Sequence, residues 1–434
     1  MEDKRFILNE KPVYLIELFA GIGAQAKCLK NLGIDYKLHK MSEWNIYSVK
    51  SYRAIHCYNQ ENINYAENYT HDELVGILYN MGISLDGKKP MSKEQINRKN
   101  INWLKDTYND FKATSNLCDI SKICGEDLEI KNTNLINYLL TYSFPCQDLS
   151  KAGKRLGMAE GTNTRSSLLW ELKRLLNECN ELPQLLLMEN VDQVISGKNK
   201  TNFDKWCEFL KSKGYSNFYD CLNSKHYGTP QNRNRCYMIS ILGDYEYEFP
   251  SKVKLQKHLQ DILEDEVDEK YYLSPKGVNY TIKREGLYTQ FYINDNSFKD
   301  VAKSAITANG NANWTGNFII DFHNTTSDEC RMIGMLNSEK WNKFHDFCRR
   351  IYSPTGISPT ITTITGGGQE RKIIELISKR IRKLTPKECW RLMEFDDIDF
   401  KRASQYCSDA QLYKQAGNSI CVKTLEYIIK PLLN

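Results

Sequence analysis

Residues 13–26 read VYLIELFAGIGAQA, and this stretch decides the fold. The apolar run Val13–Leu18 predicts a buried strand, Gly21 and Gly23 predict a turn, and a helix is expected over about residues 24–32. Such a turn lets a ligand approach bare backbone at the N-terminus of a helix. On these residues alone the ligand could be the dinucleotide of an oxidoreductase or another nucleoside cofactor, and a purely structural turn is a third interpretation.

Further apolar runs of strand length alternate with helical segments through the first 240 residues. The predicted strands are Leu139–Phe144, Gln184–Met188 and Cys236–Leu242, and Ser166–Glu178 has helical periodicity. Strands separated by helices favour a parallel sheet with helices on both faces. The sequence therefore predicts an α/β fold with a Rossmann-like sheet.

Composition narrows the class of protein. The 434 residues include 59 Lys and Arg against 54 Asp and Glu, a net charge of +5, and 41% are hydrophobic. This balance is typical of a folded chain and excludes a polybasic or disordered one. Fourteen cysteines are scattered without a C-x-x-C pair, and no apolar run reaches 18 residues. We expect reduced thiols, no metal site and neither secretion nor membrane insertion, and hence a cytoplasmic protein.

Two regions interrupt the alternation and predict the domain organisation. Residues 61–116 are polar, with 7 basic and 8 acidic residues. This composition predicts an insertion whose nearly balanced charges indicate no strong electrostatic role. From residue 246 short β-like pieces prevail, and residues 270–380 carry 15 basic and 10 acidic residues, a local +5. We expect a catalytic domain over 1–245, a smaller β-rich domain over 246–380, and a helical return segment over 381–434 that begins near Thr385-Pro386.

Four groups of polar residues stand where ligands bind in open sheets, near the ends of predicted strands. Glu43 follows Gly23 by twenty residues, where a carboxylate can hold ribose hydroxyls, and the Trp44 indole can cover an adenine or ribose face. Cys146 follows Pro145 at a loop start, although one more buried cysteine is the plain alternative. Glu189 is flanked by apolar residues, which suits a proton donor but also a helix N-cap or an ion-pair partner.

The fourth group is Gln231-Asn232-Arg233-Asn234-Arg235, which enters a predicted strand. Alternate residues of a strand share a face, so Gln231, Arg233 and Arg235 are expected to point the same way. Two guanidinium groups on one face require anions or carbonyl oxygens, unless the strand is a solvated edge.

Taken in order, these groups resemble the motifs of the cytosine-5 DNA methyltransferase family. The resemblance covers about residues 13–60, 117–242 and 350–430, with Pro145-Cys146-Gln147 matching the nucleophile motif and Glu189-Asn190-Val191 the carboxylate motif. It implies a methyltransferase sheet, S-adenosylmethionine as the cofactor and a target-recognition domain over 246–380. The cofactor residues that it implies, together with those proposed above, are Phe19, Ala20, Gly21, Gly23, Glu43, Trp44, Asp119, Ile120, Pro145, Leu168 and Asn418.

The resemblance also implies a mechanism. The Cys146 thiolate adds to C6 of a flipped-out cytosine, Glu189 donates a proton to N3, and Arg235 contacts the carbonyl O2. Arg233 is a candidate for the positive charge that stabilises the thiolate. The methyl group then passes to C5.

Double-stranded DNA is the expected partner, and DNA contacts are predicted on both domains. The candidates are Gln147, Lys151, Lys154, Arg165, Gln231, Gln369 and Arg371, with Lys372, the 366–368 glycines and the Asn309–Trp314 segment nearby. We expect a monomer from a restriction–modification or phage system, with any cognate endonuclease acting separately. An RNA cytosine-5 methyltransferase and a non-catalytic DNA-binding relative are the alternatives.

Overall fold

The structure is a computed structural model of the chain, and it describes residues 4–60, 63–145, 158–161, 165–272, 279–284, 287–292, 328–337, 341–363, 370–374 and 381–433. In the first part of the chain, the described strands and helices are β1 (Val13–Leu18), α1 (Ala24–Asn31), β2 (Tyr36–Ser42), α2 (Ile46–His56), α3 (His71–Met81), α4 (Lys93–Asn97), α5 (Ile101–Ala113), β3 (Asn137–Tyr142), α6 (Leu169–Glu178), β4 (Leu185–Val191), α7 (Lys200–Ser212), β5 (Tyr215–Asn223), β6 (Gln231–Asn232) and β7 (Asn234–Leu242).

The central sheet has the strand order β2-β1-β3-β4-β7-β5. Strands β1 to β4 run parallel, and β1 has the bounds that the sequence predicts. The predicted parallel sheet has one exception: β7, which lies between β4 and the edge strand β5, is antiparallel to both. The physical reason is the short connection between β5 and β7, which holds no crossover helix that would return the chain to a parallel strand.

Both faces of this sheet are buried, each by its own set of helices. Neighbouring strand residues alternate between two hydrophobic clusters: Leu15 belongs to one and Ile16 to the other. The Leu15 face is covered by apolar side chains of α1 and of the C-terminal helices, and the Ile16 face by those of α6 and α7. This arrangement explains the unbroken apolar runs of the parallel strands and confirms the predicted α/β fold.

In the second part of the chain, the described elements are β8 (Asn279–Arg284), β9 (Leu287–Tyr292), β10 (Met332–Asn337), α8 (Asp346–Arg349), β11 (Arg350–Tyr352), β12 (Ser358–Pro359), β13 (Lys372–Ile374), β14 (Ile381–Lys383), α9 (Pro386–Arg391), α10 (Asp397–Ser404), α11 (Asp409–Asn418) and α12 (Val422–Ile429). A second sheet has the order β14-β13-β11-β10-β8-β9. Its strands lie within the predicted 246–380 region, apart from β14, which begins just after it. The domain boundaries themselves stay a prediction.

The return segment begins as the sequence predicts. Thr385 caps α9 in a capping box with Glu388, and Pro386 occupies the first turn. Further along, Leu425 and Ile428 of α12 join the hydrophobic cluster on the Leu15 face of the central sheet. Helix α12 therefore packs against the central sheet. Across the described ranges, no helix is long and apolar enough to cross a membrane.

Candidate active site

The turn between β1 and α1 is built tightly on one side and open on the other. Phe19, Gly21 and Gly23 all have left-handed backbone, with φ of 59°, 57° and 77°. A Cβ at Gly23 would lie 2.5 Å from the His56 ring on α2, so only glycine fits this close approach. A Cβ at Gly21, in contrast, would meet no described atom within 4 Å. The turn therefore leaves open space for a ligand beside Gly21.

A buried carboxyl group at the end of β1 anchors the turn to the sheet. Glu17, at the end of β1, is fully buried and accepts hydrogen bonds from the Tyr52 hydroxyl and from the backbone N–H of Ala26 at 3.3 Å. Burial raises the pKa of Glu17 to about 7, against the opposing effect of these hydrogen bonds. The contact with Ala26 ties the first turn of α1 to the sheet.

The end of β2 faces the same turn. The Glu43 carboxylate accepts hydrogen bonds from the backbone N–H of Gly21 at 3.1 Å and of Asn45 at 2.8 Å, while the N–H of Ala20 donates to the Ser42 carbonyl at 3.1 Å. Burial raises the pKa of Glu43. Because a carboxylate has about four acceptor positions, Glu43 keeps capacity for ribose hydroxyls. Trp44 beside it is half-buried.

Asp119 and Ile120 lie in a segment that is fastened to Glu43 by a residue the sequence analysis missed. The Asn116 amide oxygen accepts from the backbone N–H of Glu43 at 3.1 Å and of Cys118 at 2.8 Å, and its NH2 group donates to the Glu43 carbonyl at 2.9 Å. Ile120 is buried, whereas Asp119 is half-buried and accepts two hydrogen bonds from Ser121. An Asn two residues before the Cys118-Asp119 pair was the available signal, since this residue type caps and bridges backbone turns.

The chain that leads to Cys146 is held at two successive carbonyl groups. The Asn190 NH2 group donates to the Phe144 carbonyl at 2.9 Å, and the Ser166 hydroxyl donates to the Pro145 carbonyl at 2.7 Å. Asn190 stands at the end of β4, and Ser166 lies in the Arg165–Leu168 turn that precedes α6. These contacts hold Phe144 and Pro145, which directly precede Cys146, beside the carboxylate motif, and they give Asn190 and Ser166 positioning roles that the motifs alone did not suggest.

Glu189 forms an ion pair with Arg235 across the antiparallel β4–β7 pair. The Arg235 Nε and Glu189 Oε1 atoms are 3.1 Å apart, and both side chains are largely buried. Arg235 also donates to the Asn234 carbonyl at 2.7 Å. Burial strengthens this charge pair and fixes the orientation of the carboxyl group. Two of the predicted catalytic residues therefore stand together.

The strand prediction for residues 231–235 is corrected, because the strand is broken at Arg233. Gln231 is fully buried; its NH2 group donates to the Leu392 carbonyl at 2.8 Å and its oxygen accepts from the N–H of Ile361. The prediction that Gln231 contacts DNA is therefore wrong, since these internal partners occupy its amide.

Arg233 is buried as well, and its guanidinium group donates to three backbone carbonyls. They belong to Ser419 at 2.6 Å, Ile361 at 3.2 Å and Gly417 at 3.4 Å. Burial lowers the pKa of Arg233 to about 10, helped by the nearby positive charge of Arg235. Arg233 thus joins the return segment to the start of β7. Its predicted role at the Cys146 thiolate stays a prediction.

Arg371 also differs from expectation. Its guanidinium group donates twice to the Thr360 carbonyl, at 2.7 and 3.2 Å, and once to the Phe347 carbonyl at 3.4 Å. The side chain is buried, and burial lowers its pKa. The prediction of a DNA contact at Arg371 is corrected, because these carbonyls occupy its donors. Lys372 is fully buried too, and it donates to the Cys348 carbonyl at 2.7 Å.

The remaining predicted residues divide into placed and undescribed ones. Leu168 is half-buried at the start of α6, and Asn418, exposed at the end of α11, accepts a hydrogen bond from Thr363. The predictions that lie outside the described residues are Cys146, Gln147, Lys151, Lys154, Gln369, the side chain of Arg165, the 366–368 glycines and the Asn309–Trp314 segment.

The described site has two halves at the carboxyl ends of adjacent strands. One half, around Gly21, Glu43 and Asp119, suits a nucleoside; the other holds a carboxyl–guanidinium pair beside the chain that enters Cys146. Two solved structures that share this fold are named as methyltransferases. The Dnmt2 methyltransferase of S. pombe aligns with a TM-score of 0.55 at 18% identity, over 96% of this chain and 99% of that one. A putative DNA modification methyltransferase from an E. coli prophage aligns with a TM-score of 0.52 at 16% identity, over 97% and 98%.

The family follows from the sequence comparisons. The model of the C-5 cytosine-specific DNA methylase family matches residues 79–434. The type II methyltransferase M2.ScrFI of Lactococcus lactis subsp. cremoris is 33% identical over 96% of this chain and 98% of its own length. The orphan methyltransferase M.SssI of Spiroplasma monobiae is 32% identical over 96% and 97%. The chain therefore belongs to the C-5 cytosine-specific DNA methylase family and is a DNA (cytosine-5-)-methyltransferase, which confirms the resemblance.

Proposed function

We propose that the protein transfers a methyl group from S-adenosylmethionine to C5 of a flipped-out cytosine in a specific double-stranded DNA sequence, with Cys146 as the nucleophile. The observation that carries this proposal is the Glu189–Arg235 ion pair, which is linked through Asn190 to the Phe144 carbonyl, two residues before Cys146. A carboxyl group and a guanidinium group side by side match the N3 and O2 positions of cytosine, which are adjacent on the pyrimidine ring.

The nucleoside half supports S-adenosylmethionine as the cofactor. The open side of the turn at Gly21 leaves room for a ligand against the backbone, and Glu43 and Asp119 supply the acceptors that ribose hydroxyls and an adenine amino group require. We assign the cofactor to Phe19, Ala20, Gly21, Gly23, Glu43, Trp44, Asp119 and Ile120, with Pro145, Leu168 and Asn418 completing the site. When bound, the cofactor supplies an electrophilic methyl group.

Cys146, Glu189 and Arg235 act together on the cytosine ring. The Cys146 thiolate forms a bond to C6 while the protonated carboxyl group of Glu189 transfers its proton to N3, so that C5 gains the electron density of an enamine. Arg235 donates to O2 and helps to distinguish cytosine from the other bases. After C5 has gained the methyl group, a base, for which we propose water, removes the C5 proton. The C6–S bond breaks and N3 returns its proton to Glu189.

DNA recognition is assigned to the second domain and to the segment that follows Cys146. A base within a duplex cannot present C6 to a thiolate, so flipping at a cost of a few kcal/mol precedes the reaction. We propose that residues 246–380 read the flanking base pairs. Gln147, Lys151, Lys154, Arg165 and Gln369 are the proposed contacts to DNA.

The cellular role that we propose is DNA modification in a restriction–modification or phage setting. M2.ScrFI is named as a type II methyltransferase and M.SssI as an orphan one. The chain would act as a monomer in the bacterial cytoplasm, and any cognate endonuclease would be a separate protein.

Purified protein with tritiated S-adenosylmethionine tests the proposal, with plasmid DNA and tRNA as parallel substrates. We expect label in DNA alone, and bisulfite sequencing of the product reports the recognised site. Label in tRNA alone would refute the DNA substrate. Cys146→Ser should abolish transfer and retain cofactor binding, whereas Cys124→Ser, at an exposed cysteine, should be fully active.

A duplex with 5-fluorocytosine at the target position tests the covalent step. It should trap a denaturation-resistant complex that requires cofactor, because fluorine at C5 prevents the final proton removal. The absence of this complex would overturn the assignment of Cys146.

A further inference from the structure

The polar insertion, residues 61–116, reaches the nucleoside half of the site, although its sequence pattern predicts no function for it. Its 83–91 loop runs beside the segment that contains Trp44. The N–H of Ser84 donates to the Trp44 carbonyl at 2.8 Å, and the N–H of Ile46 donates to the Ser84 carbonyl at 3.0 Å. The Asn45 NH2 group adds a bond to the Leu85 carbonyl at 3.2 Å. One side of the 43–46 segment is therefore fixed by the insertion.

The end of the insertion holds the same segment from its other side. After α5, residues 115–117 run parallel to the end of β2, where the Met41 N–H donates to the Ser115 carbonyl at 3.3 Å and the Leu117 N–H to the Met41 carbonyl at 2.7 Å. The side chain between them is Asn116. With its three hydrogen bonds, one amide group connects the backbone of Glu43 with that of Cys118.

Asn116 is itself held in place by the helices around it. Helix α5 is bound to α2 through Asp110, whose carboxylate lies 2.7 Å from the Arg53 guanidinium and 3.0 Å from the Lys50 ammonium group. Helix α2 in turn begins directly after the Glu43–Asn45 segment. The insertion, α2 and the 43–46 segment thus form one connected unit, and displacement of Asn116 would separate Glu43 from Asp119.

We propose that the insertion is a structural part of the cofactor site, and that Asn116 is a positioning residue that holds the Glu43 and Asp119 segments at the separation which the nucleoside of S-adenosylmethionine requires. This inference rests on the proposed assignment of the cofactor to Glu43 and Asp119. Asn116 does not contact the reacting atoms; it acts through the backbone of the residues on either side of the nucleoside.

Asn116→Ala tests the proposal in the full-length protein. It removes three hydrogen bonds and frees both segments, so we expect Kd and KM for S-adenosylmethionine to rise about tenfold, which is about 1.4 kcal/mol. At saturating cofactor, kcat and the KM for DNA should stay within about twofold, because the groups that act on cytosine are unchanged.

Asn109→Ala is the matched control. Asn109 also lies in the insertion, is half-buried like Asn116, and makes hydrogen bonds to Ala66 at 2.9 Å and Asn64 at 3.1 Å, away from the cofactor segments. It should lose a comparable amount of stability and bind the cofactor normally.

Asn116→Asp is the second variant should Asn116→Ala fail to fold. It keeps an acceptor for both N–H groups but sets a carboxylate oxygen against the Glu43 carbonyl, which the Asn116 NH2 group contacts at 2.9 Å, so its Kd should also rise. The inference is overturned when a folded Asn116 variant binds S-adenosylmethionine as tightly as Asn109→Ala does. It is also overturned when kcat falls while Kd is unchanged. If the unmodified protein itself fails to bind S-adenosylmethionine, the proposed cofactor is refuted. This outcome distinguishes failure of the proposed cofactor from failure of the positioning role of Asn116.

Discussion

Replacing Arg233 with methionine sets two roles of one side chain against each other. As a catalytic group, Arg233 would stabilise the Cys146 thiolate. As a structural group, it would hold the return segment through the carbonyls of Ser419 and Gly417, and the preceding segment through that of Ile361. Methionine keeps much of the side-chain length and removes both the charge and the donors. The two roles predict opposite outcomes for stability and turnover.

The expected loss of stability follows from these contacts. The bonds to Ser419 at 2.6 Å and Ile361 at 3.2 Å are short enough to be effective, and charge-assisted bonds are worth roughly 1.5–3 kcal/mol each. Part of this energy is returned, because methionine does not bear the desolvation cost of a buried guanidinium group. We therefore expect Arg233→Met to lower the free energy of unfolding by about 2–3 kcal/mol, or the melting temperature by roughly 3 °C.

Urea and thermal unfolding measure this loss, with Arg98→Met at an exposed arginine as the control. The control should stay within about 0.5 kcal/mol of the unmodified protein. At a temperature where Arg233→Met is folded, kcat should fall by less than about tenfold. An unchanged melting temperature combined with a loss of kcat beyond about 100-fold would refute the structural role of Arg233 and support a direct role in the chemistry.

Three further predictions concern other parts of the site. Glu189→Gln should lower kcat about 100-fold or more while cofactor binding persists, because the amide cannot supply a proton at N3; full activity in a methyl-transfer assay would contradict this. Gly417→Ala should cost about 3 kcal/mol in urea unfolding, since its Cβ would lie 2.5 Å from facing backbone, whereas Gly76→Ala, with no described atom within 4 Å, should be harmless. The raised pKa of Glu17, about 7, means that stability is greatest below the unfolded pKa and falls as pH rises to about 7. Relative to Glu17→Gln, the unmodified protein should lose roughly 3 kcal/mol between pH 4.5 and 8, and parallel stability curves would refute this.

The local elements were predictable because their signals are local. The bounds of β1, the turn at Gly21 and the cap at Thr385 each depend on residues within a few positions of one another. Buried parallel strands show unbroken apolar runs, which explains why the central strands were recognised. The bounds of β3 differ from prediction by two residues, since Phe144 continues the apolar run after the strand has ended.

Other features depend on partners that are distant in sequence. No local pattern predicts that the chain reverses direction between β5 and β7, so the antiparallel orientation of β7 was missed. Gln231 and Arg371 were predicted to contact DNA, yet the side chains of both are bound to backbone carbonyl groups of other segments. Asn116 was missed for the same reason: Glu43, its partner, precedes it by 73 residues.

The alternating Gln231, Arg233 and Arg235 show why such a motif combines two tasks. The first two side chains are buried and bind the backbone of Ile361, Leu392 and Ser419, which connects this stretch to the C-terminal part of the chain. The third reaches Glu189 on β4 and completes the proposed cytosine site. One short stretch thus both binds the C-terminal part of the chain and orients Arg235. A substitution at Gln231 or Arg233 should therefore also disturb the Glu189–Arg235 geometry. Loss of activity at these two positions is therefore evidence for chemistry only when the stability of the variant has been measured alongside it.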